Sequence, residues 1–204
     1  MKKILLIGIL LYNISTLQAQ ELFFHSGKNL TTYDFKDNIN TIVNLQKGIG
    51  YNYEVGLFSA TKNNSPLFYS VSGVINEYNA TGSTTGAAME WKTNYLGVKG
   101  AFYYKVLNGN ANSLALKIGF GAETIVYGRQ KINFDQINLV SQKEFSGIFA
   151  GPGVGLLYSY KINKDFGLQL AYNFDKHFSL SNNSQEKLNF NNHSLNVGFS
   201  VAIN

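Results

Sequence analysis

Apolar and polar residues alternate with period two through segment after segment of this chain, and that pattern constrains the fold more than any other feature. Residues 49–57 place Ile49, Tyr51, Tyr53, Val55 and Leu57 on one face and Gly50, Asn52, Glu54 and Gly56 on the other. Residues 113–127 set Leu114, Leu116, Ile118, Phe120, Ala122 and Val126 against Ser113, Lys117, Gly119, Gly121 and Glu123. The same rhythm runs through 148–160, where the opposing face is mostly glycine, and through 166–175 and 194–203. Two further strands are expected over 67–78, where either parity can face outward, and over 91–105, with Leu96, Val98, Phe102 and Tyr104 outward. An eighth, over 22–33, alternates poorly. Period two is shared by soluble β-sandwiches and by membrane-spanning β-barrels, so the pattern leaves two architectures open.

Three features favour the barrel. The first is the N-terminus. Lys2 and Lys3 precede the apolar run Ile4–Leu11, and a polar stretch leads to Leu17-Gln18-Ala19-Gln20. A basic start, a short apolar run and a small residue before the cut describe an export signal, expected to be cleaved after Ala19 or one residue later. The run is too short for a transmembrane helix, and no later apolar stretch is long enough either. The domain division is therefore a signal peptide over 1–19 and one barrel domain over 20–204.

The second feature is link length. The connections at about 34–47, 80–90, 129–143 and 177–191 are long, whereas those at 61–66, 108–112 and 161–165 are short. Strict alternation of long and short is the order expected of eight antiparallel strands with long outer loops and short periplasmic turns. The third is aromatic placement: Trp91, Tyr104, Tyr158, Tyr160, Phe166 and Phe174 fall near strand ends, where they can form interface girdles. The fold expected is an all-β, eight-stranded, antiparallel up-and-down transmembrane barrel. A bilayer leaves unpaired backbone groups without water, so a spanning sheet must close on itself.

Composition adds exclusions. Charged residues are 14% of the 204, against roughly 25% in an average soluble protein. With no cysteine, disulfides, cysteine-ligated metals and cysteine nucleophiles are excluded. The formal charge of +5 owes two lysines to the leader, and no Lys/Arg cluster marks a nucleic-acid surface.

Particular stretches carry a resemblance. Gly27-Lys28-Asn29-Leu30-Thr31-Thr32-Tyr33-Asp34-Phe35, Asn76-Glu77-Tyr78-Asn79-Ala80-Thr81-Gly82, Trp91-Lys92-Thr93-Asn94-Tyr95-Leu96-Gly97-Val98 and Glu144-Phe145-Ser146-Gly147-Ile148-Phe149 are similar to segments of small Bacteroidetes outer-membrane β-barrels, a broad OmpA/OmpX-like group. The leader's Leu17-Gln18-Ala19-Gln20 resembles theirs, and the likeness spans nearly the whole mature chain. It implies the architecture and an outer-membrane address, and no shared catalytic motif. One departure is the C-terminus, Ala202-Ile203-Asn204, where many such barrels end in an aromatic residue.

Eight strands enclose room for side chains rather than a diffusion pore. The expected lumen face carries Glu54, Lys99, Lys117, Glu123, Gln169, Asn173 and Asp175. Acids and bases together in a low-dielectric interior call for pairing, which gives a polar plug. A narrow channel or small-ligand pocket is the sharper alternative. The one nucleophile arrangement is His177-Phe178-Ser179, whose i, i+2 spacing puts both functional groups on one strand face. The spacing is similar to the His-x-Ser of lipid A deacylases of the outer membrane. An orienting acid is missing nearby, since Glu186 is in a loop, and the simpler reading of both residues is as loop positions near an outer strand end. Asp34, Asp37 and Asn38 are a weak candidate for grazing a cation, with solvated loop polarity the simpler reading. No metal motif occurs, no cofactor is called for, and Gly151-Pro152-Gly153-Val154-Gly155 lacks the Lys-Ser/Thr of a phosphate loop. The expectation is a non-enzymatic barrel with outer-membrane lipid around it. Its structural or binding role would run through outer loops that meet surface polysaccharide or another envelope protein. The alternatives are a lipid A-modifying hydrolase, a narrow channel and a soluble periplasmic β-domain.

Overall fold

The computed structural model describes residues 20–36, 42–61, 65–84, 87–180 and 187–203. The expected signal peptide, Asp37, Asn38 and Glu186 lie outside these residues. Ten strands are described: β1 (Gln20–Lys36), β2 (Ile42–Asn44), β3 (Gln46–Ala60), β4 (Leu67–Thr84), β5 (Ala87–Asn108), β6 (Asn112–Ile132), β7 (Asp135–Asn138), β8 (Ile148–Lys161), β9 (Phe166–Ser179) and β10 (Lys187–Ile203). Eight of them form the wall in the order β10-β9-β8-β6-β5-β4-β3-β1, every neighbouring pair antiparallel, and β1 pairs with β10 to close the ring. The short β2 and β7 pair with the outer ends of β1 and β6.

Register fixes the tilt of the wall. Partners followed once round the ring from Leu30 run His193, Phe174, Val154, Ile118, Phe102, Tyr69 and Ser59, and return to β1 at Gln20, ten residues below the start. A ten-residue offset over eight strands corresponds to a tilt of about 40°. The stretch 22–33, weakest in its alternation, is the one that closes the barrel. Its inward set is Phe23, His25, Gly27, Asn29, Thr31 and Tyr33, a mixture whose polar members hide the period from a hydropathy reading.

The faces follow the alternation elsewhere. Ile49, Val55, Val98, Phe102, Ile118, Phe120, Val154 and Val197 are exposed on the outer surface. In 67–78 the odd residues, Val71 and Ile75 among them, face outward. Two details differ from the faces expected. Asn94 pairs with Tyr127 but Tyr95 pairs with Ile125, so Val126 is an extra residue that bulges outward and reverses the parity beyond it. Trp91, expected in an interface girdle, is buried inside the barrel, because even residues face out along β5. Tyr104, Tyr158 and Tyr160 are exposed on the outer surface, and Phe166 and Phe174 are half-buried there.

Much of what reads as long loop is strand. β4 and β5 continue to Thr84 and Ala87, and β9 continues to Ser179. Chemically polar segments stay extended there because each strand already has a paired neighbour to follow. The short links at 108–112 and 161–165 remain turns; at 161–165, Asn163 Oδ1 accepts from the amides of Asp165 and Phe166.

Candidate functional site

The lumen is filled in three tiers. At the outer end, Tyr33, Tyr78, Tyr95, Phe149 and Phe190 form one aromatic cluster, with Tyr95 edge-on to Phe149 and Phe190. The segment after β7 folds inward over it, burying Leu139 and Phe145. Polar tips inside the cluster are satisfied: Tyr33 OH donates to the Tyr78 carbonyl at 2.9 Å, and Thr93 Oγ1 donates to the same oxygen at 2.7 Å. At the periplasmic end, Phe23, Phe58, Tyr103 and Leu157 form a second cluster, with Phe68 packed against it. Below it a cavity of about 200 Å³ opens at the mouth, lined in part by Phe68, Ser159 and Lys161.

Between the aromatic tiers sits the polar tier, and each sequence-predicted lumen residue is found there. Lys99 Nζ from β5 lies 3.0 Å from Asp175 Oδ2 on β9, both side chains under 10% exposed at 8% and 9%. Lys117 Nζ donates to Asn173 Oδ1 at 3.0 Å. Glu54 accepts from Ser72 Oγ at 2.7 Å, and Gln169 Oε1 meets His25 Nε2 at 2.7 Å. Glu123 Oε2 accepts from Asn76 Nδ2 at 2.8 Å. Its Oε1 lies 3.3 Å from His177 Nδ1, at ion-pair distance but without hydrogen-bond geometry. The strands supply these groups because inward positions alternate, so facing walls meet across a core one or two side chains wide.

Glycine makes room where two walls approach. A Cβ on Gly151 would run into the Lys176 carbonyl oxygen and fall 3.1 Å from the His177 Cα, so no side chain fits there. The glycines of 151–155 thus serve close strand approach.

His177 and Ser179 are not in an outer loop; they belong to β9. The acid that the chain order did not offer comes from β6: Glu123 reaches His177 across the lumen, and Tyr78 OH stands 3.4 Å from the same nitrogen. His177 is 1% exposed beneath the aromatic tier, and Ser179 is half-buried beside Phe149 on β8. In a His-x-Ser arrangement the serine is the nucleophile and the imidazole its base, and here that base is sealed from solvent. Asp34 accepts from Asn191 Nδ2. No group of three or more His, Asp or Glu side chains among the described residues is arranged to hold a metal ion. Sequence reasoning missed His25, Asn76 and Tyr78. The first sits in the poorly alternating strand, and the other two in a strand of undecided parity.

The closed ring, its ten-residue offset and its filled lumen define an eight-stranded antiparallel barrel of the outer-membrane type. No protein-family model and no curated protein matches the sequence. Solved structures match it in fold. A major outer membrane protein from Thermus thermophilus aligns with a TM-score of 0.50 at 9% identity, covering 91% of this chain and 100% of its own. OprG of Pseudomonas aeruginosa aligns at 0.48 and 13% identity, over 90% and 95% of the two chains. Ail of Yersinia pestis aligns at 0.42 and 12% identity, over 88% and 97%.

Proposed function

We propose that this protein is an integral outer-membrane β-barrel, exported by its N-terminal signal, whose role is structural or surface-binding rather than catalytic or conductive. One observation carries the reading: an apolar outer face encloses a lumen blocked by two aromatic clusters with a tier of paired polar groups between them. The side chains that conduct or catalyse in a barrel have to meet water or substrate, and here they are tied to one another. Function then falls to the outer surface. The β6–β7 hairpin supports this, since it projects Phe134 at its tip, 98% exposed, beside Asn133 in the left-handed region. Partners reached through the outer loops would be envelope polysaccharide or another envelope protein.

The test is to isolate outer membranes from cells expressing the chain and run the protein boiled and unboiled on a denaturing gel, with planar-bilayer recording of the same material. Faster migration without boiling and no conductance steps are expected. A soluble protein with no mobility shift overturns the membrane assignment, and regular conductance steps overturn the sealed lumen. Ser179→Ala is expected to leave the mass profile of lipid A unchanged; a changed profile would revive the hydrolase reading.

A further inference from the structure

The outer surface contains a charge that the membrane reading does not explain. Lys28 faces outward on β1 and is exposed, paired laterally with Leu195 on β10 and Tyr51 on β3. Leu30, one outward position further along, and Ile49 on β3 are exposed apolar residues, so Lys28 sits inside the edge of the apolar belt. No hydrogen bond or ion pair of its side chain is found among the described residues. A lysine on the lipid face is unfavourable unless its ammonium reaches the interface, where water or an anion meets it.

Register shows what stands beside it. With ten residues of offset over eight strands, each step from β1 to β10 to β9 lowers the lateral partner by about 1.25 residues, roughly 3 Å along the barrel axis. The residues level with Lys28 therefore lie one to two positions beyond its lateral partners. On β10 that position is His193, and the next outward position on β9 is Lys176. Lys28, His193 and Lys176 fall within about 4 Å of one height, on three adjacent strands, each about 8 Å from the next between Cα atoms and the two lysines about 16 Å apart along the wall. All three project to the lipid side, as the lumen positions Asn29, Asn192 and Asp175 beside them confirm.

The surroundings hold this row in place and leave it cationic. His193 Nδ1 meets Tyr172 OH at 2.8 Å, and its ring lies 4.8 Å from Phe174. Lys176 Nζ lies 5.4 Å from the Phe178 ring centre. Outward on β9, β10, β1 and β3, the one acid among the described residues is Asp34, six residues beyond Lys28 and occupied by Asn191. On β4, Glu77 turns its carboxylate to the Tyr51 amide and to Asn79. Two flexible ammonium groups flanking an imidazole, aromatic rings below, at the outer edge of an apolar belt, suit the phosphate of an amphiphile whose chains lie along the barrel wall.

We infer that the wall formed by β9, β10 and β1 binds the phosphate headgroup of an outer-leaflet lipid through Lys28, Lys176 and His193. The inference rests on the outer-membrane reading proposed above, and the experiment separates the two. The full chain is refolded into vesicles of phosphatidylcholine alone, and into vesicles that also contain phosphatidic acid, which exposes a phosphate monoester. The temperature at which the fast-migrating gel band is lost is then measured in each. Binding to the native barrel raises that midpoint. The expected result is a higher midpoint with phosphatidic acid, none with the same concentration of inorganic phosphate, and loss of most of the increase in Lys28→Gln/Lys176→Gln. The pair Lys92→Gln/Lys131→Gln, on the β5–β6 wall, should keep it. An equal loss in that control pair, an equal rise with inorganic phosphate, or no rise with phosphatidic acid would each overturn the lipid site while leaving a folded barrel in phosphatidylcholine. Failure to form the fast band in either vesicle would overturn the barrel reading, and the site with it.

Discussion

The two faces of the same strands obey opposite rules. Along β9, Leu168, Leu170 and Tyr172 look outward and are exposed, while Gln169, Asn173 and Asp175 look inward and each has a named partner on another strand. On the outer face, any apolar side chain of ordinary size serves, because lipid is a fluid solvent that fills around it. In the lumen the solvent is the opposite wall, which is fixed. Tolerance should therefore be high outside for apolar exchange and low inside for any change.

Ranked by expected effect, the first way to break this contrast is Gly151→Leu. The Cβ has no room against the Lys176 carbonyl, so β8 and β9 should fail to pair and the fast-migrating band should disappear from unboiled gels, a loss above about 5 kcal/mol. Next is Asp175→Ala, which leaves Lys99 charged and unpaired in the lumen. Urea unfolding in vesicles should show about 3–5 kcal/mol less stability. The double variant Lys99→Met/Asp175→Leu should regain most of it; if it does not, the pair does more than balance charge. On the outer face, Val71→Arg, 64% exposed and near mid-belt, should cost about 2–4 kcal/mol, whereas Leu107→Arg at the periplasmic edge should cost about 0–1 kcal/mol. Equal costs at the two sites would mean that the belt is not set against lipid. The smallest of the lumen variants is Tyr33→Phe. It removes one donor from the Tyr78 carbonyl, which keeps Thr93, so the loss should be about 1 kcal/mol by the same urea measurement.

Some of the site is legible without the structure, and the reason is geometric. Lys117, Glu123, Gln169 and Asp175 sit in strands with clean alternation, and parity alone assigns them inward. Their pairing is not legible. Lys99 and Asp175 are 76 positions apart in the chain, and only the closed ring says which inward residue faces which. His177 shows the same limit from the other side: chain order offers it Glu186, and the ring supplies Glu123. Trp91 misses the girdle because parity, not nearness to a strand end, decides which side of the wall a residue takes.

What the residue order determined by itself is the faces of the cleanly alternating strands, the number of long strands and the alternation of tight turns with longer connections, because each of these depends on neighbours within a few positions. Tertiary structure decided the rest. Closure brought the poorly patterned 22–33 into register with both β3 and β10, and a single bulge at Val126 reversed the faces above it. Packing drew Leu139 and Phe145 inward over the aromatic tier. The height of each outward residue, and with it the row of Lys28, His193 and Lys176, depends on the ten-residue offset of the ring. That offset is a property of all eight strands together, since a shift in any one pair changes it, and no local window of sequence contains it.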